Sequence, residues 1–384
     1  MIKYYLSSKF YKPSEYSDSP NLSILNTLDD RVIFVENIDS LIDNQKMKPD
    51  LVNAFYDRTK NYECIVINQY EHIYVDGFMK ILEKYYQDGK IVIFNTFTSG
   101  IKHYFDRKFP NNKFYVKSII DNIKNHINPI VDLQKSINQN DFRINTKDKR
   151  KYLLKAFSFN RSPHRDYIMD TLIKKNLVEG NNVSFHNHPF DVRNEEITYT
   201  KLIQCNNAYN TLEAFELYKS LDYTTLNSIS VIPESQNFDI HNQPKHTEQN
   251  GLASVNSYFE ILSEAQMPLS NDIENSQYYT YCATKRTITP MYYGSIFHIM
   301  PFSKLMVDDF NKSDFCTFFN SDEDFFTNLN EDFFFKKENI EKLNHNHNRI
   351  KEYYVEYVNK NGKNKPFVIS KLEEIFSVEL IIFK

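Results

Sequence analysis

The first hundred and twenty residues alternate between short apolar runs and amphipathic stretches. Arg31–Val35 (RVIFV), Glu63–Ile67 (ECIVI) and Lys90–Phe94 (KIVIF) are rich in β-branched residues and read as strands, with a fourth at Lys113–Val116. Between them, Pro49–Lys60 and Asp76–Gln87 carry helical periodicity. Strands and helices alternating at this spacing predict a parallel sheet covered on both faces. Such a sheet binds ligands beyond the carboxyl ends of its strands. Those ends are followed here by Asn68-Gln69-Tyr70-Glu71-His72 and by Asn95-Thr96-Phe97-Thr98.

Residues 129–150 are polar, end in NTKDKRK, and read as an interdomain connection. A second α/β region is expected from Lys151, with strands at Leu153–Phe159, Asn182–Phe185, Ser228–Ile232 and Ser295–Ile299. Ser162-Pro163 opens a helix with Ile168, Leu172 and Ile173 on one face, Ser as cap and Pro in the first turn. Pro233–Asn250 has loop composition, and Lys336–Tyr357 reads as a charged helix in the tail. The expected division is 1–150, 151–330 and a helical tail at 331–384.

Composition narrows the function. The chain has 384 residues, 41% hydrophobic and 25% charged, enough for more than one buried core. Seven glycines, no tryptophan, 27 tyrosines, 31 phenylalanines and abundant Asn, Lys and Ile fit translation from an AT-rich genome, such as that of a virus or an AT-rich bacterium. Neither a G-x-G-x-x-G nor a G-x-x-x-x-G-K-[ST] sequence occurs, which argues against dinucleotide oxidoreductases and P-loop enzymes. A net charge of −4 gives no global basic field for nucleic acid. Cys64, Cys205, Cys282 and Cys316 have neither zinc nor disulfide-framework spacing and read as reduced thiols in a cytoplasm. MIKYYLSSKF lacks a signal-peptide core, and no apolar run reaches the ~18 residues of a membrane span.

Two segments carry candidate chemistry. In Ala156–Leu177 (AFSFNRSPHRDYIMDTLIKKNL), Asn160 ends a strand, and Arg161 and Arg165 flank the turn into a helix, a place suited to anions. In Asn256–Pro290, Glu264 precedes the basic step Lys285-Arg286 by about twenty positions. A carboxylate accepts hydrogen bonds from ribose hydroxyls. A basic pair at a helix start holds a diphosphate, by point charge for Lys and by a planar fork for Arg. Each segment taken alone also reads as a capped surface helix with solvated charges.

Together they resemble the donor-binding half of fucosyltransferase-like and related viral glycosyltransferases of the GT-B type. The matching positions are Asn160, Arg165, Ser263-Glu264, Thr284, Arg286, Thr287 and Pro290, followed by SIFHIMPF (Ser295–Phe302). The stretch Asp308–Phe319 corresponds to the family's Gly-Phe-x-Thr-Phe, with Asp314 in place of Gly. Lys285 stands where the family has Glu, and Arg286 where it has Lys. The resemblance covers roughly residues 150–330. It implies an α/β fold of two Rossmann-like domains, with the acceptor on the N-terminal side, the donor on the C-terminal side and a last helix crossing back. It further implies a UDP- or GDP-sugar donor, and an acceptor hydroxyl on a glycan or a modified phage DNA base. Arg161, Arg165, Lys285 and Arg286 would steady the diphosphate, Glu264 would hold the ribose, and Asn160 and Thr284 would belong to the same donor-binding set. Glu71 or His72 would serve as base if the transfer inverts. A noncatalytic nucleotide- or glycan-binding protein on the same fold is the alternative.

Other residues invite plainer readings. His186 and His188, and His345 and His347, have metal-like spacing without a third ligand and read as ordinary histidines. Asp322-Glu323-Asp324 reads as a solvated acidic turn, so arginine and lysine, not a metal, are expected to neutralise the leaving diphosphate. His164 reads as a surface residue at a helix start. The aromatics read as core, apart from loop positions such as Tyr278–Tyr281.

Overall fold

The computed structural model describes residues 3–7, 24–28, 31–36, 42–43, 46–47, 49–68, 76–95, 100–124, 149–158, 163–185, 221–228, 231, 251, 253–262, 267–268, 279–280, 285–300, 302–359, 367–377 and 379–383. The chain forms two compact units: residues 1–121, 267–282 and 364–384 make the first, and 122–266 with 283–363 the second.

The first unit is built on a five-stranded sheet in the order Ile24–Leu28, Val32–Glu36, Cys64–Asn68, Ile91–Asn95, Phe114–Val116. The first pair is antiparallel, with a register shift between Ile24 and Thr27, and the other pairs are parallel. Helices Pro49–Thr59, Asp76–Gln87 and Ile101–Lys108 link neighbouring strands. Every step crosses the sheet in the same direction, so right-handed crossovers place all three helices on one face. That face interleaves Ile33, Val35, Ile65, Ile67, Val92 and Phe94 with Phe55, Leu82, Tyr85 and Phe105. The alternate residues, Val32, Phe34, Cys64, Val66, Ile91 and Ile93, face the other way and are covered by Val368, Ile369 and Leu372 of helix Phe367–Phe376. Burial on both faces explains why these strands read as continuous apolar runs. Strand Lys3–Ser7 pairs in parallel with Glu379–Phe383, so the first unit draws on both ends of the described chain.

The second unit holds a four-stranded parallel sheet in the order Asn182–Phe185, Tyr152–Ser158, Ser257–Leu262, Ile296–Ile299. The chain enters at Tyr152–Ser158, moves outward through helix Pro163–Lys174 to Asn182–Phe185, then returns to the other side. Its last step runs through helix Lys285–Tyr293 into Ile296–Ile299. These steps go in opposite directions and put their helices on opposite faces, which leaves a topological switch point between Tyr152–Ser158 and Ser257–Leu262. Helix Lys337–Asn359 packs on Lys285–Tyr293. There the His347 Nδ1–H donates to the Tyr292 carbonyl at 2.6 Å and the two rings stack at 5.2 Å. The four parallel strands of each sheet, flanked by helices, are compatible with a two-domain Rossmann-like architecture.

One expectation changes, and a second falls mostly outside the described residues. Ser257–Leu262 is a central strand, buried along its whole length, although the segment also read as a surface helix. Its apolar side chains lie on both faces, so neither helical nor alternating period stands out. Of the strand expected at Ser228–Ile232, Ser228 ends helix Tyr223–Ser228 and Val231 makes an isolated antiparallel bridge to Phe185, while residues 229, 230 and 232 lie outside the described residues. Asp222 caps that helix, accepting from the Thr225 amide at 3.1 Å and the Thr225 hydroxyl at 2.5 Å.

A chain with so few glycines must end helices with other residues. Among the described residues, Asn111, Asn176, Asp314 and Ser377 take positive φ. At Asp314 the motif is complete: the Phe315 amide bonds the Phe310 carbonyl at 2.9 Å and the Asp314 amide the Asn311 carbonyl at 3.1 Å. Phe310 and Phe315 pack across it at 6.2 Å. Asp314 thus occupies a glycine-type backbone position, and its φ is 61°.

Two outcomes are expected. Leu372→Ala removes a fully buried side chain from the second face of the first sheet and should cost about 2–5 kcal/mol in chemical denaturation. High pH should also unfold the protein. Burial pushes the Tyr293 phenol up to about 12, and burial likewise raises Tyr85 and Tyr292. These phenols ionise near pH 10 when unfolded, so their contribution is intact below pH 10 and is lost as pH rises toward 12. Melting temperature against pH, read with phenolate absorbance, checks this.

Candidate functional site

The second sheet is polar at one edge and charged beneath the other. At its amino edge Arg150 is buried and gathers backbone carbonyls: Nη1 donates to Ser257 at 2.6 Å and Ser254 at 3.3 Å, and Nη2 to Gly294 at 2.8 Å. Its guanidinium lies 4.7 Å from the Phe334 ring centroid. Burial lowers its pKa to about 10, so it remains charged at neutral pH. Gly294 directly follows helix Lys285–Tyr293, so Arg150 fixes the C-terminal end of that helix at the amino edge. Nine residues span ~13 Å, about the length of the strands beneath. The N-terminus of the helix, with Lys285 and Arg286, therefore opens toward the carboxyl edge.

Helix Pro163–Lys174 follows the carboxyl end of Tyr152–Ser158 and opens at the same edge. Arg165 is its third residue and is half-buried. Two helix N-termini on opposite faces of the sheet thus each carry an arginine in the first turn. The helix dipole and the guanidinium combine there in favour of an anion.

Beneath this edge lies a charged pair. Lys155 and Glu260 are register partners on the two central strands and are 1% and 4% exposed. Lys155 Nζ donates to Glu260 Oε1 at 2.6 Å and to Ser254 Oγ at 2.8 Å, and Ser254 Oγ donates to Glu260 Oε2 at 2.7 Å. Burial pushes the ammonium down and the carboxyl up, while mutual attraction opposes both shifts. The charge of Arg286 acts on both groups, favouring the Glu260 carboxylate and opposing the Lys155 ammonium.

On the opposite face, His298 Nε2 lies 2.7 Å from Asp322 Oδ1, and the Tyr167 hydroxyl donates to Asp322 Oδ2 at 3.2 Å. The imidazole stacks on Phe325 at 4.7 Å and presents its face to Phe302 at 6.3 Å. Burial and the neighbouring Asp322 carboxylate raise the Tyr167 phenol. This network ties the helix that carries Arg165 to strand Ile296–Ile299. It also revises the acidic triplet. Asp322-Glu323-Asp324 is the first turn of helix Asp322–Thr327, capped by Ser321. Asp324 accepts from the Asn320 amide at 3.0 Å and the Asn328 side chain at 2.9 Å, so two of the three carboxylates hold protein groups. Acidic residues are favoured in a first helical turn by the dipole. No group of three or more His, Cys, Asp or Glu side chains converges as a metal site among the described residues.

Of the residues the sequence singled out, Arg165 and Arg286 are placed, at the starts of the two helices. Lys285 begins its helix, but its side chain lies outside the described residues. Glu71, His72, Asn160, Arg161, Glu264 and Thr284 also lie outside them. In sequence, Glu71 and His72 follow strand Cys64–Asn68, Asn160 and Arg161 follow Tyr152–Ser158, and Glu264 follows Ser257–Leu262. Sequence reasoning missed Lys155, Glu260, Arg150 and the His298–Asp322 pair. A lysine and a glutamate inside two apolar strands were a readable signal, since buried charges occur mostly in pairs. Arg150 was hidden in a polar run, where it looks like any linker residue. No helix among the described residues is long and apolar enough to cross a membrane.

Truncating one member of the central pair should strand the other. Lys155→Met or Glu260→Leu alone should cost about 3–5 kcal/mol, whereas the double substitution should be close to neutral or stabilising. Urea denaturation of the three variants completes the thermodynamic cycle. Compared with known proteins, the chain matches no protein-family model, no curated protein and no solved structure.

Proposed function

We propose that this protein is a nucleotide-sugar-dependent glycosyltransferase of GT-B type, with the donor nucleotide seated at the carboxyl edge of the second unit's sheet. One observation carries the reading. At the switch point of a doubly wound sheet, two helix N-termini open at the same edge, each with an arginine in its first turn. A diphosphate has the charge for such a place, and the ribose would fall to Glu264, which follows the neighbouring strand in sequence. The sequence resemblance to fucosyltransferase-like enzymes points to the same segments.

In the reaction, a hydroxyl of the acceptor attacks the anomeric carbon of the donor sugar, and the bond from that carbon to the diphosphate oxygen breaks. The acceptor proton passes to a base, Glu71 or His72 if the transfer inverts. The nucleoside diphosphate leaves with the bonding pair. Negative charge grows on it as the bond breaks, and Arg286 and Arg165 neutralise that charge more strongly in the transition state than in the ground state. The acceptor is a glycan hydroxyl or a hydroxylated base of phage DNA.

The first test is a thermal-shift panel of UDP, GDP and their sugar conjugates. A ligand at 100 times its Kd should stabilise the native state by about 2.7 kcal/mol. No shift with any nucleotide sinks the reading. Slow hydrolysis of the sugar conjugate separates a transferase from a pure binder. Arg286→Ala should lower turnover by about 10²–10³ with little change in melting temperature, and Arg286→Lys should retain part of the activity. Because guanidinium groups balance the leaving diphosphate, turnover should persist in EDTA; complete loss restored by manganese would contradict that assignment.

A further inference from the structure

The carboxyl edge of the first unit's sheet carries polar residues in register. Glu36 pairs with Asn68, and Asn68 with Asn95, as the last residues of three neighbouring parallel strands. Lys117 directly follows Val116, the partner of Phe94, and so continues the row on the fourth strand. Successive positions on a strand alternate between faces, so these four share the face of Phe34, Val66 and Ile93, opposite the three connecting helices. A polar residue at the end of one strand needs no explanation. Here the last apolar layer on that face is followed, on every parallel strand, by a residue with a carboxylate, a carboxamide or an ammonium group. Asn95 is half-buried and Lys117 is 8% exposed, so this end of the row is partly withdrawn from water.

Strand spacing sets the geometry. Neighbouring strands lie ~4.8 Å apart, so Glu36, Asn68 and Asn95 occupy roughly 10 Å of rigid edge. A carboxylate only accepts hydrogen bonds, while a carboxamide both donates and accepts. A sugar offers hydroxyls that do both, at several points along its length. Nucleic acid is held chiefly through its phosphates by Lys and Arg, and a carboxylate in the row opposes that. The chain's net charge of −4 supplies no wider basic field in compensation. Glu71 and His72, the bases named above, follow Asn68 in sequence.

We propose that Glu36, Asn68 and Asn95 form a binding row for the hydroxyls of a glycan acceptor, with Glu36 as its strongest single contact. This rests on the transferase reading above and chooses between its two acceptors: a sugar hydroxyl, not a hydroxylated DNA base.

The test uses the full chain and methyl glycosides of glucose, galactose, mannose and N-acetylglucosamine, read by saturation-transfer NMR. At least one should bind wild type. Glu36→Gln keeps the shape and loses the charge, and should weaken that glycoside about tenfold, as loss of a hydrogen bond to a charged group does. Asn95→Leu keeps the volume and loses both hydrogen-bonding functions, and should weaken it several-fold. In both variants the thermal shift with UDP or GDP should match wild type. Should Asn95→Leu unfold, Asn95→Asp keeps the shape, removes the donors and is read in the same way. Wild type that shifts with a nucleotide yet binds no glycoside would overturn the row and leave the donor site standing. So would wild-type glycoside affinity in a folded Glu36→Gln. An oligonucleotide bearing 5-hydroxymethylcytosine that binds where no glycoside does, and tighter in Glu36→Gln, would overturn the row in favour of a DNA acceptor. Glycoside binding through the row with no nucleotide shift would uphold the row and remove the transferase reading alone.

Discussion

A parallel sheet must bury both of its faces, and the direction in which the chain steps across it decides which helices can do so. The two units answer this constraint differently. In the first, every step runs the same way, so the three connecting helices crowd onto one face and helix Phe367–Phe376 covers the other. In the second, the chain starts in the middle and steps outward both ways, so its own connections cover both faces. Only the second arrangement creates a switch point, and that is where the arginine-bearing helix starts open.

The second unit sets a charged pair between its central strands, where the two core clusters of the first are apolar. Arg150 draws together the carbonyls of Ser254, Ser257 and Gly294 at the amino edge. Gly294 directly follows helix Lys285–Tyr293, so a cation sits at the negative end of a helix dipole, where it is favoured. The opposite end of the same helix is thereby aimed at the carboxyl edge. Lys155 and Glu260 lie between these poles and join the two strands that flank the switch point. The elements that hold the sheet together are thus the ones that set the direction of the candidate site.

Much of this was legible in the residues. The apolar runs at RVIFV, ECIVI and KIVIF, with Lys113–Val116, marked four of the five strands of the first sheet to within a residue or so, while the antiparallel edge strand Ile24–Leu28 was not marked, and helix Asp76–Gln87 falls where its periodicity put it, because strong local patterns and tertiary burial agree there. Ser162-Pro163 correctly marked the start at Pro163, since a fixed φ and a missing amide suit a first turn. Strand Ser257–Leu262 did not stand out because a central strand buried on both faces has no polar alternation, and Glu260 interrupts its apolar run. Helix Tyr223–Ser228 was not legible because it is only six residues long and starts on the side chain of one cap, Asp222. The long-range pairs Arg150–Gly294, Lys155–Glu260 and His298–Asp322 join residues far apart in the chain, and no window of sequence contains them.

The first unit's dependence on residues 364–384 has a consequence for synthesis. Val32, Phe34, Cys64, Val66, Ile91 and Ile93 leave the ribosome early, yet Val368, Ile369 and Leu372, which cover them, are made only after the whole second unit. At ~5–20 residues per second that interval lasts on the order of tens of seconds. The second unit can close around its own sheet meanwhile, because its covering helices come from within it. The first waits half-covered, an apolar surface that invites chaperones until the last helix arrives.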